Sequence, residues 1–223
     1  MTALAGIYPA PFAHGPARRP ADAAALDDRL GAALGAAIAG DAVAFTELWR
    51  ALQPLVLRYL RVVCGDAAED VASETWLQAA RDLHRFTGGP MAFRGWLFGI
   101  ARHRALDQRR HTARRPEEPA GWFNDTARTP APDAATEAME SSGTAWALRV
   151  IATLPPDQAE AVTLRVVVGL DVATTAQVVG KRPGSVRVST MRGLRRLAAH
   201  PEVLALQERW GWREGAAGLE DEV

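Results

Sequence analysis

The sequence predicts an all-α protein with two small helical domains joined by a flexible linker. Apolar residues recur every three or four positions through most of the chain, and no segment sustains the period-two alternation of a half-buried strand. A stretch rich in proline, acids and small residues at 113–144 separates the two helical parts. With 223 residues, 48% of them apolar, the chain is long enough to bury a sizeable core.

The N-terminal segment, residues 1–40, is rich in Ala, Gly and Pro. Its helical pattern is weak and runs through Leu26, Leu30, Leu34 and Ile38. We therefore expect a mobile extension or one loose helix in this segment.

The first domain is predicted to span residues 41–112. Asp41 is placed to cap its first helix, and Gly65 breaks the chain after that helix. The Gly88-Gly89-Pro90 sequence provides a second break further along. We expect the helices at 41–63, 68–83 and 93–110.

The second domain is predicted to span residues 145–200, and an acidic tail at 201–223 follows it. Asp171 is placed to cap a short helix that ends before a turn at Gly180. The tail has enough apolar residues for one more short helix. We expect the domain's helices at 146–154, 156–168, 172–179 and 185–199.

The formal net charge is zero, but positive and negative charges are segregated along the chain. Residues 94–115 hold seven arginines and one acid, and residues 181–197 hold six basic residues and no acid. The compensating acids lie at 116–144 and 201–223, with six in each stretch. Two basic modules in acidic surroundings are typical of a nucleic-acid binder with two contact sites.

The first basic module is a helix with aromatic residues, preceded by a glycine-rich loop at 84–91 that carries Phe86. Aromatic side chains can stack on unpaired bases while arginines hold the phosphates, which suits DNA that is being opened. By itself the helix is equally consistent with an ordinary amphipathic helix that has a solvated arginine face. Its predicted apolar face consists of Phe93, Leu97, Ile100 and Ala101. Its predicted basic face consists of Arg102, Leu106, Arg109 and Arg110, with Phe98 beside them. The border between the two faces consists of Trp96, His103 and Asp107.

The second basic module, residues 169–197, has the pattern of a helix-turn-helix. A basic second helix of this kind fits the major groove of DNA, where arginine pairs with guanine. The alternative is a helical hairpin with a basic surface. We expect Val172, Ala176, Val179, Val186, Thr190, Leu194 and Leu197 to face inward, and Ser185, Arg187, Val188, Met191 and Arg192 to face outward.

The sequence shows no pattern typical of a metal site, a disulfide or a catalytic site. Cys64 is the single cysteine, so neither an internal disulfide nor a multi-cysteine zinc site can form. The five histidines lack metal-site spacing, and no catalytic triad or carboxylate pair is indicated. No apolar run approaches the roughly 20 residues of a membrane span, and no signal peptide is evident. We expect a cytoplasmic protein without cofactor, metal or enzymatic activity.

Two stretches in a fixed order carry a family resemblance. AEDVASETWLQAARDLHRF at 68–86 and FRGWLFGIARHRALDQRR at 93–110 resemble region two of the extracytoplasmic-function (ECF, group 4) sigma factors of bacterial RNA polymerase, in the sigma-70 family. LPPDQAEAVTLRVVVGL at 154–170, with the helix-turn-helix after it, is similar to their region four. The resemblance implies a transcription factor that binds core RNA polymerase and directs promoter-specific initiation by recognising the minus 35 and minus ten elements and melting the latter.

The resemblance also implies roles for particular residues. The family helix that docks on core polymerase is matched by Asp70, Glu74, Thr75 and Leu77. The loop and helix that capture and melt the minus ten element are matched by Arg85, Phe86, Phe93, Trp96, Arg102, His103, Asp107, Arg109 and Arg110. The helix that enters the minus 35 major groove is matched by Gly184, Ser185, Arg187, Val188, Met191 and Arg192.

Several positions depart from the family pattern. His103 stands where asparagine is usual, so the base preference at the minus ten element is open. Ser189 and Thr190 replace a usual arginine and leucine, and Thr175 stands where isoleucine is usual. The second domain is therefore either marginally packed or specific for an atypical minus 35 sequence. The implied partners are core RNA polymerase and promoter DNA, duplex and melted, and an anti-sigma factor is common in the family. The competing interpretations are a helix-turn-helix regulator that acts without polymerase, and a DNA-processing enzyme, for which no nucleophile constellation is apparent.

Overall fold

The computed structural model describes residues 20–114 and 142–209, and every regular element in these two ranges is helical. The described residues form nine α-helices, with short 3-10 and π-helical turns between some of them. The helices are α1 (Pro20–Ile38), α2 (Ala42–Cys64), α3 (Ala68–Asp82), α4 (Pro90–Arg114), α5 (Ser142–Ala152), α6 (Pro156–Val162), α7 (Val172–Val179), α8 (Pro183–Ala198) and α9 (Pro201–Arg209).

The N-terminal helix α1 is packed against the rest of the molecule. Leu26, Leu30 and Leu34 recur every four residues, so they form one apolar stripe, and all three are buried against a surface supplied mainly by α2. A mobile extension or one loose helix was expected here. The structure has a helix over Pro20–Ile38, and it is docked because tertiary burial outweighs the weak local pattern. Residues 1–19 lie outside the described residues.

Helices α2, α3 and α4 form the first half of the core. Asp41 caps α2 as expected, since its carboxylate accepts hydrogen bonds from Val43 N at 2.8 Å and Ala44 N at 3.2 Å. Gly65 ends α2 with a φ of 59°, a backbone conformation that favours glycine. These local signals account for the boundaries of α2.

Helix α4 is buried on more sides than the sequence pattern indicated. Phe93 and Leu97 lie in the core as expected, but Phe98, placed beside the arginines, is also fully buried. The ring of Phe98 packs edge-on against Tyr59 of α2, with the centroids 5.5 Å apart. Helix α4 is also contacted by α7, so it has more packing partners than an isolated amphipathic helix.

Helices α5 to α9 form the second half, and α7 and α8 make up its helix-turn-helix. Asp171 caps α7 by accepting a hydrogen bond from Thr174 N at 2.7 Å. Gly180 ends α7 in the left-handed region, with φ 65° and ψ 35°. Val186 and Leu197 hold α8 to the core, and Thr190 and Leu194 are half-buried beside them.

The two halves pack directly against each other. Helix α4 lies on α7, and α2 contacts both α5 and α6. Tyr59 and Phe98 from the first half share one continuous core with Leu164 and Val168 from the second. The two helical units predicted from the sequence are therefore in contact in this structure.

The expected linker lies mostly outside the described residues. Helix α4 reaches Arg114 and α5 begins at Ser142, so the structure describes only the two ends of the segment 113–144. The expected tail helix is present as α9, Pro201–Arg209, and Val203 anchors it in the core of the second half.

Candidate nucleic-acid interface

The outer surface of α8 is the most accessible of the predicted interfaces. Val188 and Met191 are 48% and 53% exposed, and they lie one helical turn apart on the same side of α8. The structure thus leaves one face of α8 free within the described residues. All six residues of the predicted set are exposed on it: Gly184, Ser185, Arg187, Val188, Met191 and Arg192.

The opposite side of α8 is fixed to its own half of the molecule. Gly193 is buried against α6, where a Cβ atom would lie 2.6 Å from Val162 Cγ2. In the turn before α8, Lys181 Nζ lies 2.5 Å from Asp157 Oδ2 in a partly exposed ion pair. The close packing of Gly193 on α6 therefore fixes the position of α8, as a groove-reading helix requires.

Three predicted minus ten residues form one aromatic cluster. The ring centroid of Phe86 lies 5.5 Å from that of Phe93 and 5.4 Å from that of Trp96. Phe86 and Trp96 are half-buried, whereas Phe93 is fully buried and belongs to the core in this conformation. The structure therefore brings these residues together but leaves only Phe86 and Trp96 partly accessible for stacking.

The polar residues of the predicted minus ten set have different partners. Arg85 and Arg109 are exposed, and Arg110 forms an exposed ion pair with Asp107 at 3.2 Å. His103 is exposed, and its Nδ1 lies 2.8 Å from Gly99 O. Exposed pairs of this kind contribute little to stability, so these side chains remain available to a ligand.

Arg102 differs from its neighbours because it is engaged within the molecule. Its Nε donates a hydrogen bond of 2.8 Å to Glu160 Oε1, a residue of α6 in the other half. The Tyr59 hydroxyl donates to the same oxygen, also at 2.8 Å. Burial and the adjacent Glu160 carboxylate raise the pKa of Tyr59 well above its ordinary value, so Tyr59 stays a donor.

The predicted polymerase-binding set is divided by the structure. Asp70, Glu74 and Leu77 follow one exposed face of α3, and Leu77 is 58% exposed. The prediction that Thr75 lies on that surface is wrong. It is fully buried, and its hydroxyl donates to Val71 O at 2.7 Å, so it lies on the core side of the helix.

Arg94 is a buried residue whose role sequence reasoning missed. Its guanidinium donates to Asp27 Oδ1 in α1 at 2.8 Å and to the Val168 carbonyl in the second half. The single available signal was an arginine inside the apolar run FRGWLFGI. An arginine buried there requires partners, and both come from distant parts of the chain.

Within 20–114 and 142–209, no group of three or more His, Cys, Asp or Glu could hold a metal ion. In the same ranges no helix is long and apolar enough to cross a membrane.

Family models match both halves of the chain. The model for Sigma-70 region 2 matches residues 48–115. The model for Sigma-70, region 4 matches residues 144–197. Together the matches contain α3, α4, α7 and most of α8, and hence nearly all of the surfaces described above.

Two solved structures share the fold. CnrH in complex with the cytosolic domain of CnrY matches with a TM-score of 0.53 at 22% identity, over 78% of this chain and 96% of that one. The sigma factor RpoE in complex with the anti-sigma factor NepR from Bartonella quintana matches with a TM-score of 0.52 at 21% identity, over 73% of this chain and 97% of that one.

Curated relatives are closer in sequence. The ECF RNA polymerase sigma factor ShbA of Streptomyces griseus is 36% identical over 182 residues, 78% of this chain and 95% of that protein. SigD of Mycobacterium tuberculosis, another ECF RNA polymerase sigma factor, is 35% identical over 76% of this chain and 82% of that protein. Since both regions match in order and the relatives align over most of their length, the chain belongs to the ECF sigma factors, the sigma-70 family subunits that direct RNA polymerase to promoters.

Proposed function

We propose that this sigma factor contacts the transcription machinery through three surfaces, each supplied by a different helix. The exposed face of α8 reads the minus 35 element, the loop at Phe86 with α4 captures the melted minus ten element, and the exposed face of α3 docks on core polymerase. The domain boundaries that serve these roles are 41–112 and 145–200.

The accessibility of α8 is the observation that carries the proposal. Its six candidate residues lie on one solvent-facing side of a helix that Asp171 and Gly180 position through the preceding helix and turn. Arg187 and Arg192 supply donors for guanine or phosphate, and Val188 and Met191 supply apolar contact for a thymine methyl group. That mixture suits base reading in a major groove.

The minus ten surface combines stacking and charge. Phe86 and Trp96 are half-buried aromatic residues next to a helix whose Arg109 and Arg110 are exposed. An unpaired base stacked on an aromatic ring gains roughly 1 to 3 kcal/mol. Binding of separated strands at this surface would favour DNA opening.

The proposed polymerase-binding surface of α3 consists of one exposed apolar side chain and two acidic residues on the same face. Leu77 lies one helical turn after Glu74 and two turns after Asp70 on the same face of α3, and all three residues are exposed. A surface of this type fits a partner with an apolar pocket and basic residues around it.

The remaining assignments follow from the family role. We infer that the chain acts in the cytoplasm, where polymerase and promoter DNA are present, and that it has no enzymatic activity of its own. The RpoE structure contains an anti-sigma factor. A regulatory protein partner of that kind is proposed for this chain as well.

The test is promoter-specific run-off transcription with core polymerase after a pull-down of the two. Core polymerase with the chain should initiate at promoters that core polymerase alone ignores. A chain that binds duplex promoter DNA tightly by itself and does not associate with polymerase would instead be a helix-turn-helix regulator.

A further inference from the structure

Helix α1 contacts the chain on both sides of the loop that carries Phe86. This loop, residues 86–89, runs from the 3-10 turn Leu83–Arg85 to the first residue of α4, Pro90. Helix α1 contacts that turn and also contacts α4. At the α4 end the approach is close, because a Cβ atom on Gly31 would lie 3.5 Å from Pro90 Cγ. One helix therefore borders both ends of the loop.

An ion pair joins α1 to α4 one turn beyond Pro90. Arg94 is fully buried, and its Nη1 donates a hydrogen bond of 2.8 Å to Asp27 Oδ1. Asp27 and Gly31 lie four residues apart, so both are on the side of α1 that faces the start of α4. A buried guanidinium is costly to leave without acceptors, so this pair resists separation of the two helices.

Helix α1 is itself held by the core. Its apolar stripe of Leu26, Leu30 and Leu34 is buried, mainly against α2. The match to Sigma-70 region 2 begins at residue 48, so α1 lies outside the part of the chain that the family model covers. A firmly packed helix of unassigned role thus lies next to the proposed minus ten surface.

The loop that α1 borders has little freedom to adjust. Gly88 has a φ of 141°, and a Cβ atom there would lie 3.0 Å from Ala92 Cβ and 3.2 Å from Phe86 Cζ. The Phe86 ring in turn packs on Phe93 and Trp96, with centroids 5.5 Å and 5.4 Å away. A displacement of either end of such a loop is therefore passed on to the Phe86 ring.

We propose that α1 is a positioning element for base capture, which holds the 86–89 loop so that Phe86 and Trp96 are ready to stack on an unpaired minus ten base. Asp27 and Gly31 are its positioning residues, acting through Arg94 and Pro90. A surface that is already in its binding geometry loses less conformational entropy when its ligand arrives. The inference rests on the proposed function, because it concerns the proposed minus ten surface.

The test measures base capture separately from overall DNA binding. Holoenzyme is assembled from core polymerase and the full chain. The probe is a single-stranded oligonucleotide that covers the minus ten element of a promoter transcribed by the wild-type holoenzyme. It is used intact and with one base removed at each position in turn. Loss of the captured base should weaken wild-type binding about tenfold, because the stacking contact is lost.

The first variant is Gly31→Ile, and Gly35→Ile is its matched control. Both glycines are exposed, and they lie one turn apart on α1. Isoleucine is stiff in a helix and extends beyond Cβ, so at residue 31 it displaces α1 from Pro90, whereas a Cβ at Gly35 meets no atom within 4 Å. In Gly31→Ile the tenfold gap between intact and abasic oligonucleotides should close, and in Gly35→Ile it should remain.

A second pair of variants removes a carboxylate. Asp27→Ala deprives Arg94 of its partner on α1 and should also close the gap, whereas Asp28→Ala, at the exposed neighbouring position, should not. Should Gly31→Ile fail to assemble with core polymerase, the comparison of Asp27→Ala with Asp28→Ala decides by the same ratio.

The ratio of the two affinities distinguishes positioning from a merely structural role. A structural defect would lower the affinity for intact and abasic oligonucleotides alike and leave their ratio unchanged. A gap that persists in Gly31→Ile, or that closes equally in Gly35→Ile, overturns the inference. If no abasic position weakens binding by the wild-type holoenzyme, the proposed minus ten surface is refuted instead, whatever the variants do.

Discussion

Gly95 of α4 lies directly against Thr174 of α7, so closely that a Cβ atom on Gly95 would be 2.5 Å from Thr174 Cγ2. Real Cβ atoms do not approach other atoms to that distance, so the two helices reach their spacing only because residue 95 is glycine. The boundary between the halves is therefore a close helix-helix contact. A substitution that adds one methyl group at Gly95 therefore tests the contact between α4 and α7 directly.

Replacement of Gly95 by alanine should open the molecule. The added methyl group clashes with Thr174, while the higher helix propensity of alanine should keep α4 intact. We expect a larger radius of gyration for free Gly95→Ala by small-angle scattering. Gly99→Ala is the matched control, because a Cβ at Gly99 meets no atom within 4 Å. If both variants scatter as wild type does, the contact between the halves tolerates a methyl group and the prediction fails.

Replacement of Gly193 by alanine should destabilise the second half. The new methyl group would lie 2.6 Å from Val162 Cγ2, and overpacking of a core costs roughly 1 to 3 kcal/mol. Urea unfolding should show the loss, and Val162→Ala in the same chain should restore part of it by making room. Strictly additive losses in the double variant would contradict this packing argument.

The Tyr59 hydroxyl should make stability fall at alkaline pH. Its pKa is raised well above the ordinary value of about 10, so the folded state retains a proton that the unfolded state loses. Its contribution is complete below about pH 10 and decreases as the pH rises toward the higher folded-state pKa. Tyr59→Phe should lose roughly 1 to 2 kcal/mol near neutral pH through the missing hydrogen bond to Glu160.

Urea unfolding over a pH series checks this prediction. The free energies of unfolding of wild type and Tyr59→Phe should converge above about pH 10, because only wild type loses the contribution. Two curves that stay parallel across that range would show that Tyr59 ionises equally easily in both states.

Local signals in the sequence predicted the elements well. Asp41 and Asp171 cap the helices that follow them, and Gly180 ends α7 in the left-handed conformation. The last helix of the second domain was expected at 185–199 and is found at Pro183–Ala198. Each of these features depends on chemistry within one or two helical turns, which a single sequence contains.

Contacts between the halves could not be predicted in the same way. Arg102 and Glu160 lie 58 positions apart, and Arg94 and Val168 lie 74 apart. Phe98 was placed on the basic face because helical periodicity does not reveal a second packing partner. Thr75 was assigned to the polymerase-binding surface by the family resemblance, whereas its hydroxyl donates to Val71 O on the buried side of the helix.

Leu77 should contribute to polymerase binding without contributing to stability. Its side chain is 58% exposed, so truncation removes little buried area from the folded chain. If it inserts into an apolar pocket of the polymerase, Leu77→Ala should weaken binding to core polymerase by about tenfold at an unchanged melting temperature. Val43→Ala, at a 71% exposed position at the start of α2, is the control. Equal binding by the two variants would remove Leu77 from the interface.

Arg187 should contribute base specificity, and not charge alone, at the minus 35 element. It is exposed on the face of α8 that also carries Val188 and Met191. A bidentate contact between arginine and guanine discriminates by about 1 to 3 kcal/mol, so Arg187→Ala should lower run-off transcription from the preferred promoter roughly tenfold. The variant should also lose preference at one position of a minus 35 library.

Arg195 provides the matched control for this last variant, because it is exposed at the other end of the same helix. Arg195→Ala removes the same charge, so it should weaken binding to all promoters slightly and leave the base preference intact. A run-off series over single substitutions in the minus 35 element distinguishes the two. If Arg187→Ala lowers transcription evenly across the series, as a phosphate contact would, α8 does not read bases through Arg187.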